Sequence, residues 1–332
     1  MRIGMWMGAP LRALGMAAVM ALAACGGGGS DDKPALDVTV KVDGVADSAG
    51  PLSAGETGTI AVASGATLVF DSPGETRWEP TATGSSFEVN TFSFTSKSMT
   101  VSSHAGGTLV VVFTNKADAS QQATLNVTVA PEEFQAVARV DGEVETWSET
   151  WTDSTGAVTQ DSFLWRTVLM DQGTYGVDIG DAQTGTYSST RSLYDAQDRY
   201  LGFAAVESGN KCLYDQPVAF VSYPLHVGKS WVGDATRSCG GILTFTQHYS
   251  RSVEAYERVV APQGSHDALR IKAQADYTVT STDPDQPGYG YTVNSTCWWA
   301  VDLGRNVKCN YVFHYDDGSS DSRSDVMTGL AR

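Results

Sequence analysis

Residues 143–151 read Glu-Val-Glu-Thr-Trp-Ser-Glu-Thr-Trp. Carboxylates beside aromatic rings are the residue types of glycoside hydrolysis, where one carboxyl group donates a proton and another acts as base or nucleophile. In a strand, alternate residues face one side. Glu145, Trp147, Glu149 and Trp151 therefore share a face, and with Glu143 just before them they predict an amphipathic surface rather than a cleft. Ser265-His266-Asp267 contains the residue types of a catalytic triad. Three consecutive residues cannot converge on one proton relay, and the chain has no G-x-S-x-G elbow, so this run is expected at a turn. No catalytic residue is assigned.

Acidic loops are the next place for chemistry. The loop at Asp283 and Asp285 fails the EF-hand spacing because its third ligand position is proline and no glutamate closes it. Asp316, Asp317 and Asp321 gather several oxygens within six residues and form a calcium candidate at a hairpin tip. The five histidines are scattered and there is no C-x-x-C, which speaks against zinc. No cofactor is expected. Six tryptophans, Trp147, Trp151, Trp165, Trp231, Trp298 and Trp299, lie beyond residue 140. Trp147, Trp151, Trp298 and Trp299 are candidate binding residues, since aromatic faces give large contact area to sugars, lipids or proteins. The adjacent Trp298 and Trp299 must face opposite sides of a strand.

With 38 acidic and 22 basic residues, the 332-residue chain carries a formal charge of −16. This argues against a nucleic-acid partner, which needs Lys and Arg for phosphates. Four of the five cysteines, Cys212, Cys239, Cys297 and Cys309, lie in the second half. An even set in an exported chain suggests two disulfides, and three pairings are possible. The sequential pairing, Cys212–Cys239 and Cys297–Cys309, is favoured because the second pair flanks a turn centred near Leu303.

The fifth cysteine is different. Arg2 and Arg12 precede and open an apolar run that ends at Ala24, with no acid before Asp31. This is the pattern of a secretory signal, and the run is too short to span a bilayer comfortably. It closes on Leu22-Ala23-Ala24-Cys25, which resembles the lipobox of bacterial lipoproteins. The resemblance implies cleavage before Cys25, a diacylglycerol on its sulfur and an acylated amine. Several acyl chains on one residue anchor a protein where one alone holds only marginally. Cleavage would remove two arginines and no acid, making the remaining chain more acidic still. Gly26–Gly29, Ser30 and two aspartates then form a flexible tether. Gly26 in place of an aspartate after the cysteine implies the outer rather than the inner membrane in a Gram-negative host.

These residues need elements to carry them. Short alternating runs, punctuated by Gly, Ser, Asp and Thr, predict an all-β chain. After a signal at 1–24 and a tether at 25–35, strands at 37–42, 58–62, 67–70, 91–94, 108–113 and 123–129 suggest an immunoglobulin-like sandwich over 36–130. The region 131–332 is expected to form a larger antiparallel curved sheet or half-barrel with two disulfides. Its hairpin turns are read at 153–156, 195–198 and 316–318, where acidic residues and glycine tolerate left-handed angles. Within it, Pro224, Leu225, Gly228 and Trp231, then Gly264, Ala268, Arg270 and Ile271, then Trp298 to Ala300 with Gly304 and Lys308, resemble uncharacterised periplasmic β-rich families. His266 stands where those families often carry Phe. The resemblance covers 223–311 and implies a fold, not an activity. Together these readings point to a lipid-anchored, non-enzymatic binding or scaffold protein of the cell envelope, with an envelope protein or glycan as partner. A carrier of lipid or hydrophobic ligand with a β cavity and a glycan-acting enzyme are the alternatives.

Overall fold

The computed structural model describes residues 35–332 except 44, 47, 48, 50, 73–75, 84–86, 91–97, 241, 284, 286 and 287. Cys25, the signal, most of the tether and the strand expected at 91–94 lie outside the described residues. Among the described residues all regular structure is β apart from one 3-10 turn at Asp171–Gly173.

The first ten strands are β1 (Asp37–Val42), β2 (Val45–Ala46), β3 (Leu52–Ser53), β4 (Thr57–Val62), β5 (Ala66–Asp71), β6 (Thr76–Thr83), β7 (Phe87–Asn90), β8 (Ser98–Ser103), β9 (Gly107–Asn115) and β10 (Asp118–Val129). They form two sheets, one in the order β2-β1-β5-β8-β7 with β3 beside β1, the other β4-β10-β9-β6. Period-two alternation explains why the sheets meet. Leu109, Val111, Phe113, Leu125 and Val127 of one sheet share a single core with Val38, Val40, Leu68, Phe70, Met99 and Val101 of the other. The Phe70 and Phe113 rings meet edge to face at 5.1 Å, the arrangement that the ring quadrupoles favour.

The remaining strands are β11 (Val144–Thr152), β12 (Val158–Leu169), β13 (Tyr175–Asp181), β14 (Tyr187–Tyr194), β15 (Arg199–Ala205), β16 (Lys211–Ala219), β17 (Ser230–Cys239), β18 (Leu243–Ala261), β19 (Gly264–Ser281), β20 (Tyr289–Ala300), β21 (Arg305–Tyr315) and β22 (Ser320–Ala331). They run as a meander in which each strand pairs antiparallel with the next, and β22 returns to pair with β11. The sheet is thus a closed barrel, more than the curved sheet or half-barrel expected. Closure removes both sheet edges. Twelve strands also enclose more space than side chains fill in an eight-stranded barrel.

The turns at one end are built by aspartates. Asp153 Oδ1 accepts from the Thr155 and Ala157 amides, Asp181 Oδ1 from Gln183 and Thr184, and Asp317 Oδ1 from Ser319. The opposite end is covered by the chain itself. Phe134 and Leu225 exchange two backbone hydrogen bonds of 2.8 Å, and Leu225 is fully buried. Gly304 turns there with φ +68°, and a Cβ on it would overlap Val137 of the covering segment. The sandwich touches the barrel at this end: His104 stacks on Tyr256 of β18 with centroids 3.7 Å apart.

One seam of the wall differs. β16 and β17 share a single ladder pair, Tyr214 with Arg237, whereas β17 and β18 pair continuously from Ser230–Ser252 to Cys239–Leu243. Side chains supply what the ladder lacks. Trp231 Nε1 donates to the Ala219 carbonyl at 2.9 Å, and the Thr236 amide donates to Asp215 Oδ1 at 2.7 Å. The Cys212–Cys239 disulfide crosses the same seam, with Cα atoms 5.4 Å apart. Cys297 and Cys309 are also joined, directly opposite each other on β20 and β21 with Cα atoms 4.1 Å apart.

Candidate functional site: the barrel lumen

Alternation along the barrel strands sends every second side chain inward. Two adjoining cavities result. The first, of about 280 Å³, lies toward the covered end and is lined by Arg139, Glu145, Trp147, Trp165, Tyr175, Tyr194, Asp198, Arg251, Trp299 and Arg305 among others. The second, of about 360 Å³, is lined by Tyr200, Tyr214, Arg237, Gln247, Tyr291, Phe313 and Arg323. Phe220, Tyr277, Val293 and Tyr311 line both.

This placement corrects the reading of the Glu143–Trp151 segment. Glu145 and Trp147 are 5% and 2% exposed and line the lumen rather than an outer surface. Trp147 donates to Glu145 Oε2 at 3.0 Å. Glu149 bonds Arg323 at 2.9 Å, and Trp151 leans on Phe313 at 5.1 Å. A barrel interior wide enough for water and ligand tolerates a mixed polar and aromatic face, so the pattern that suggests a surface strand here marks a lumen strand.

Of the candidate tryptophans Trp147, Trp151, Trp298 and Trp299, the first cavity brings together Trp147 and Trp299, with Trp165 beside them. Trp299 is 2% exposed and meets Tyr223 edge-on. Trp298 points away from the lumen, donating to Glu257 Oε1 at 2.7 Å with Lys308 Nζ 5.1 Å from its ring. Neither Trp147 nor Trp299 is available to a partner at the outer surface.

The calcium candidate does not assemble. Asp316 Oδ2 accepts from the Gly290 amide, Asp317 from Ser319, and Asp321 Oδ2 from the Tyr315 hydroxyl. Among the described residues no group of three or more His, Cys, Asp or Glu side chains converges as a ligand set. Ser265, His266 and Asp267 begin β19 rather than forming the turn expected there. His266 Nδ1 faces Asp302 at 3.1 Å, while Ser265 and Asp267 are exposed on the opposite face of the strand.

Three residues not singled out in the sequence build the covered end. Arg139 reaches Asp198 at 3.4 Å and Glu145 at 3.6 Å. Asp198 also accepts from the Tyr175 hydroxyl at 2.7 Å and the Tyr223 hydroxyl at 2.8 Å. Arg305 bonds Glu145 at 2.7 Å and pairs with the fully buried Glu143. Burial by itself would disfavour the Arg139 charge, but Tyr175, Asp198 and Glu145 outweigh it and hold the guanidinium charged. Burial raises the Tyr175 and Tyr223 phenols, keeping them neutral donors. Each charge at this end thus has an opposite charge beside it, as buried ions require. Glu145 and Asp198 line the same cavity, but arginines and hydroxyls occupy them.

Arg251 of the first cavity and Arg237 of the second are different. Arg237 sits over the Phe245, Tyr214 and Phe203 rings at 4.6, 4.9 and 5.2 Å. Arg251 sits over Phe220 and Tyr249 at 4.9 and 5.4 Å. Gly233, opposite Tyr249 on β17, makes room for that ring, because a Cβ would overlap it. Among the described residues neither arginine has a carboxylate partner, and the Nε of each is buried without a hydrogen bond. Burial lowers the Arg251 pKa, partly offset by Tyr277, Tyr249 and Tyr311. Burial also pushes the Tyr214 phenol up to about 12.

No family model matches this chain, and no curated protein matches it. Three solved structures bear a distant likeness. One is a protein from Bacteroides fragilis described as exported with a YmcC-like fold, at 14% identity and a TM-score of 0.34, covering 60% of this chain and 100% of its own. Another, described as a lipoprotein of Parabacteroides distasonis, has 9% identity and a TM-score of 0.32, with coverages of 60% and 100%. The hypothetical lipoprotein YmcC of Escherichia coli has 13% identity and a TM-score of 0.30, with coverages of 56% and 85%. At TM-scores this low the likeness assigns nothing to this chain.

Proposed function

We propose that this chain is a lipid-anchored, non-enzymatic binding protein of the bacterial cell envelope that takes a small ligand into the lumen of its barrel. The observation that carries the lumen reading is the pair of adjoining cavities, about 280 and 360 Å³, walled by aromatic rings and arginines. Aromatic and apolar side chains interleaved with placed polar groups are usual in small-molecule sites. Anchorage rests on the lipobox at Cys25, and the two disulfides suit an oxidising compartment. Phenols, Gln247 and guanidiniums in the wall favour a compact polar or aromatic ligand over an acyl chain. The ion-paired state of Glu145 and Asp198 favours binding over acid–base chemistry, which needs a carboxyl group free to exchange a proton with substrate.

The test uses 4-nitrophenyl β-glucoside, a neutral ring-bearing probe, read by quenching of lumen tryptophan fluorescence. Saturable quenching without release of nitrophenolate is expected. Ala273→Trp, which fills the first cavity from its wall, is expected to abolish it. Binding unaffected by Ala273→Trp would refute the lumen as the site, and steady nitrophenolate release would favour the enzyme reading. For the anchor, metabolic labelling with an alkyne fatty acid is expected to mark the wild-type protein and not Cys25→Ser.

A further inference from the structure

We propose that the lumen selects anions: the guanidiniums of Arg237 and Arg251 offer positions along it for a carboxylate, sulfate or phosphate group on a compact ring-bearing ligand. The inference rests on the lumen-binding reading and adds the chemical class of what is bound. Its basis is an uneven pairing of charges within one barrel. Arg139 and Arg305 have carboxylate partners at the covered end, and Arg323 is matched by Glu149 and Asp325 at 2.9 and 2.6 Å. Among the described residues Arg237 and Arg251 have aromatic faces and no carboxylate partner.

An aromatic face offsets the cost of partly removing a cation from water less well than a carboxylate does, and the Nε of each arginine has no hydrogen-bond partner among the described residues. Guanidinium stays protonated in proteins, so neutralisation offers no relief. Three further features fit this assignment. Arg251 and Arg237 open onto adjoining cavities that share Phe220, Tyr277 and Tyr311, so one ligand can lie along both. The phenols of Tyr277 and Tyr311 are raised by burial and remain donors, which suit an anion's oxygens. A chain of net charge −16 repels anions at its surface, so two lumen guanidiniums without a carboxylate beside them also provide selectivity against general anion binding. Arg is the side chain suited to this task, because its planar fork can bond two oxygens of a carboxylate, sulfate or phosphate at once.

The experiment compares 4-nitrophenyl β-glucuronide with the matched glucoside, which carries a neutral hydroxymethyl group in place of the carboxylate. 4-Nitrophenyl sulfate and phosphate form separate arms that distinguish the sources of the charge. In the full-length protein the glucuronide, or one of the other two anions, is expected to bind at least about tenfold tighter than the glucoside. That preference should weaken with salt and disappear in Arg237→Met/Arg251→Met, while Arg258→Met, on the exposed face of β18, leaves it intact. A second readout needs no variant: the anionic probe should protect Arg237 and Arg251 of the wild-type protein from phenylglyoxal, as followed by peptide mass spectrometry. Equal affinity for all four probes, or no protection of either arginine, overturns the anion assignment. If Ala273→Trp still blocks that equal binding, lumen binding stands without it. No saturable binding of any probe overturns both.

Discussion

Replacing Cys212 and Cys239 together by alanine tests whether the barrel has a weak seam. The two disulfides close loops that differ in size, with sequence separations of 27 and 12, but loop entropy grows only with the logarithm of length. Chain entropy alone therefore gives them similar values, about 3.5 and about 3 kcal/mol. The local structure separates them. Cys297 and Cys309 sit within a ladder that runs from Tyr291–Tyr315 to Ala300–Arg305, so their strands stay registered once the sulfurs part. Cys212 and Cys239 cross a junction with one ladder pair, held otherwise by the Trp231–Ala219 and Thr236–Asp215 bonds. Urea denaturation is expected to show both double variants destabilised by about 2–4 kcal/mol. Native-state hydrogen exchange should then tell them apart. Loss of the Cys212–Cys239 link is expected to speed exchange of β16 amides by at least about tenfold, because local opening of that seam no longer costs a covalent constraint. Loss of Cys297–Cys309 should leave exchange in β20 and β21 close to wild type. Unchanged β16 exchange in the first variant, or equal local loosening in both, would refute the seam.

Arg305→Met leaves Glu143 and Glu145 buried together without their shared cation. Arg332 stays beside Glu143 at 2.8 Å and Arg139 beside Glu145 at 3.6 Å, so a loss of about 3 kcal/mol is expected, measured by urea denaturation; a loss below about 1 kcal/mol would contradict this. Asp178, 2% exposed on the outer face of β13, is raised by burial but held lower overall by hydrogen bonds from Arg191 and Arg166. A carboxyl group depressed by folding stabilises above its unfolded value near 3.9, and the stabilisation is lost as pH falls through the folded value. Asp178→Asn should therefore cost about 2 kcal/mol at pH 7 and progressively less in acid, measured by denaturation across pH 2–7. Trp299→Ala is expected to cost about 3–5 kcal/mol and to enlarge the first cavity, checked by denaturation together with probe binding. Gly304→Ala combines a left-handed φ with overlap on Val137; it should cost more than about 1 kcal/mol and expose the 134–143 segment to limited proteolysis.

The all-β character and several turns are legible in the sequence because both are local. Alternation in β9 and β10 marks their buried faces without reference to any neighbour. The turns at 153–156, 195–198 and 316–318 follow from aspartate and glycine chemistry at those positions, and each does lie between two strands. The shared face of Glu145, Trp147, Glu149 and Trp151 is likewise correct as a period-two statement. Which way that face looks is not a local property. It depends on the pairing of Val144–Thr152 with Ser320–Ala331, and nothing in either strand alone specifies that first and last meet.

The same reason hides the charge pattern of the lumen. Arg139, Glu145, Asp198 and Arg305 are spread over more than 160 positions and become a neutral cluster only when the wall closes. Arg237 and Arg251 look ordinary in strands with acidic residues nearby, Asp234 and Glu254 among them. Those acids face outward: Asp234 bonds His248 and Glu254 bonds Arg270 and Lys272. Strand geometry puts alternate residues on opposite sides of the sheet, so proximity in sequence does not give these arginines partners. The amino-acid order determined strands, turns and the signature at Cys25. Only closure of the barrel decided which charges are matched and which two arginines, among the described residues, face the lumen without a carboxylate partner.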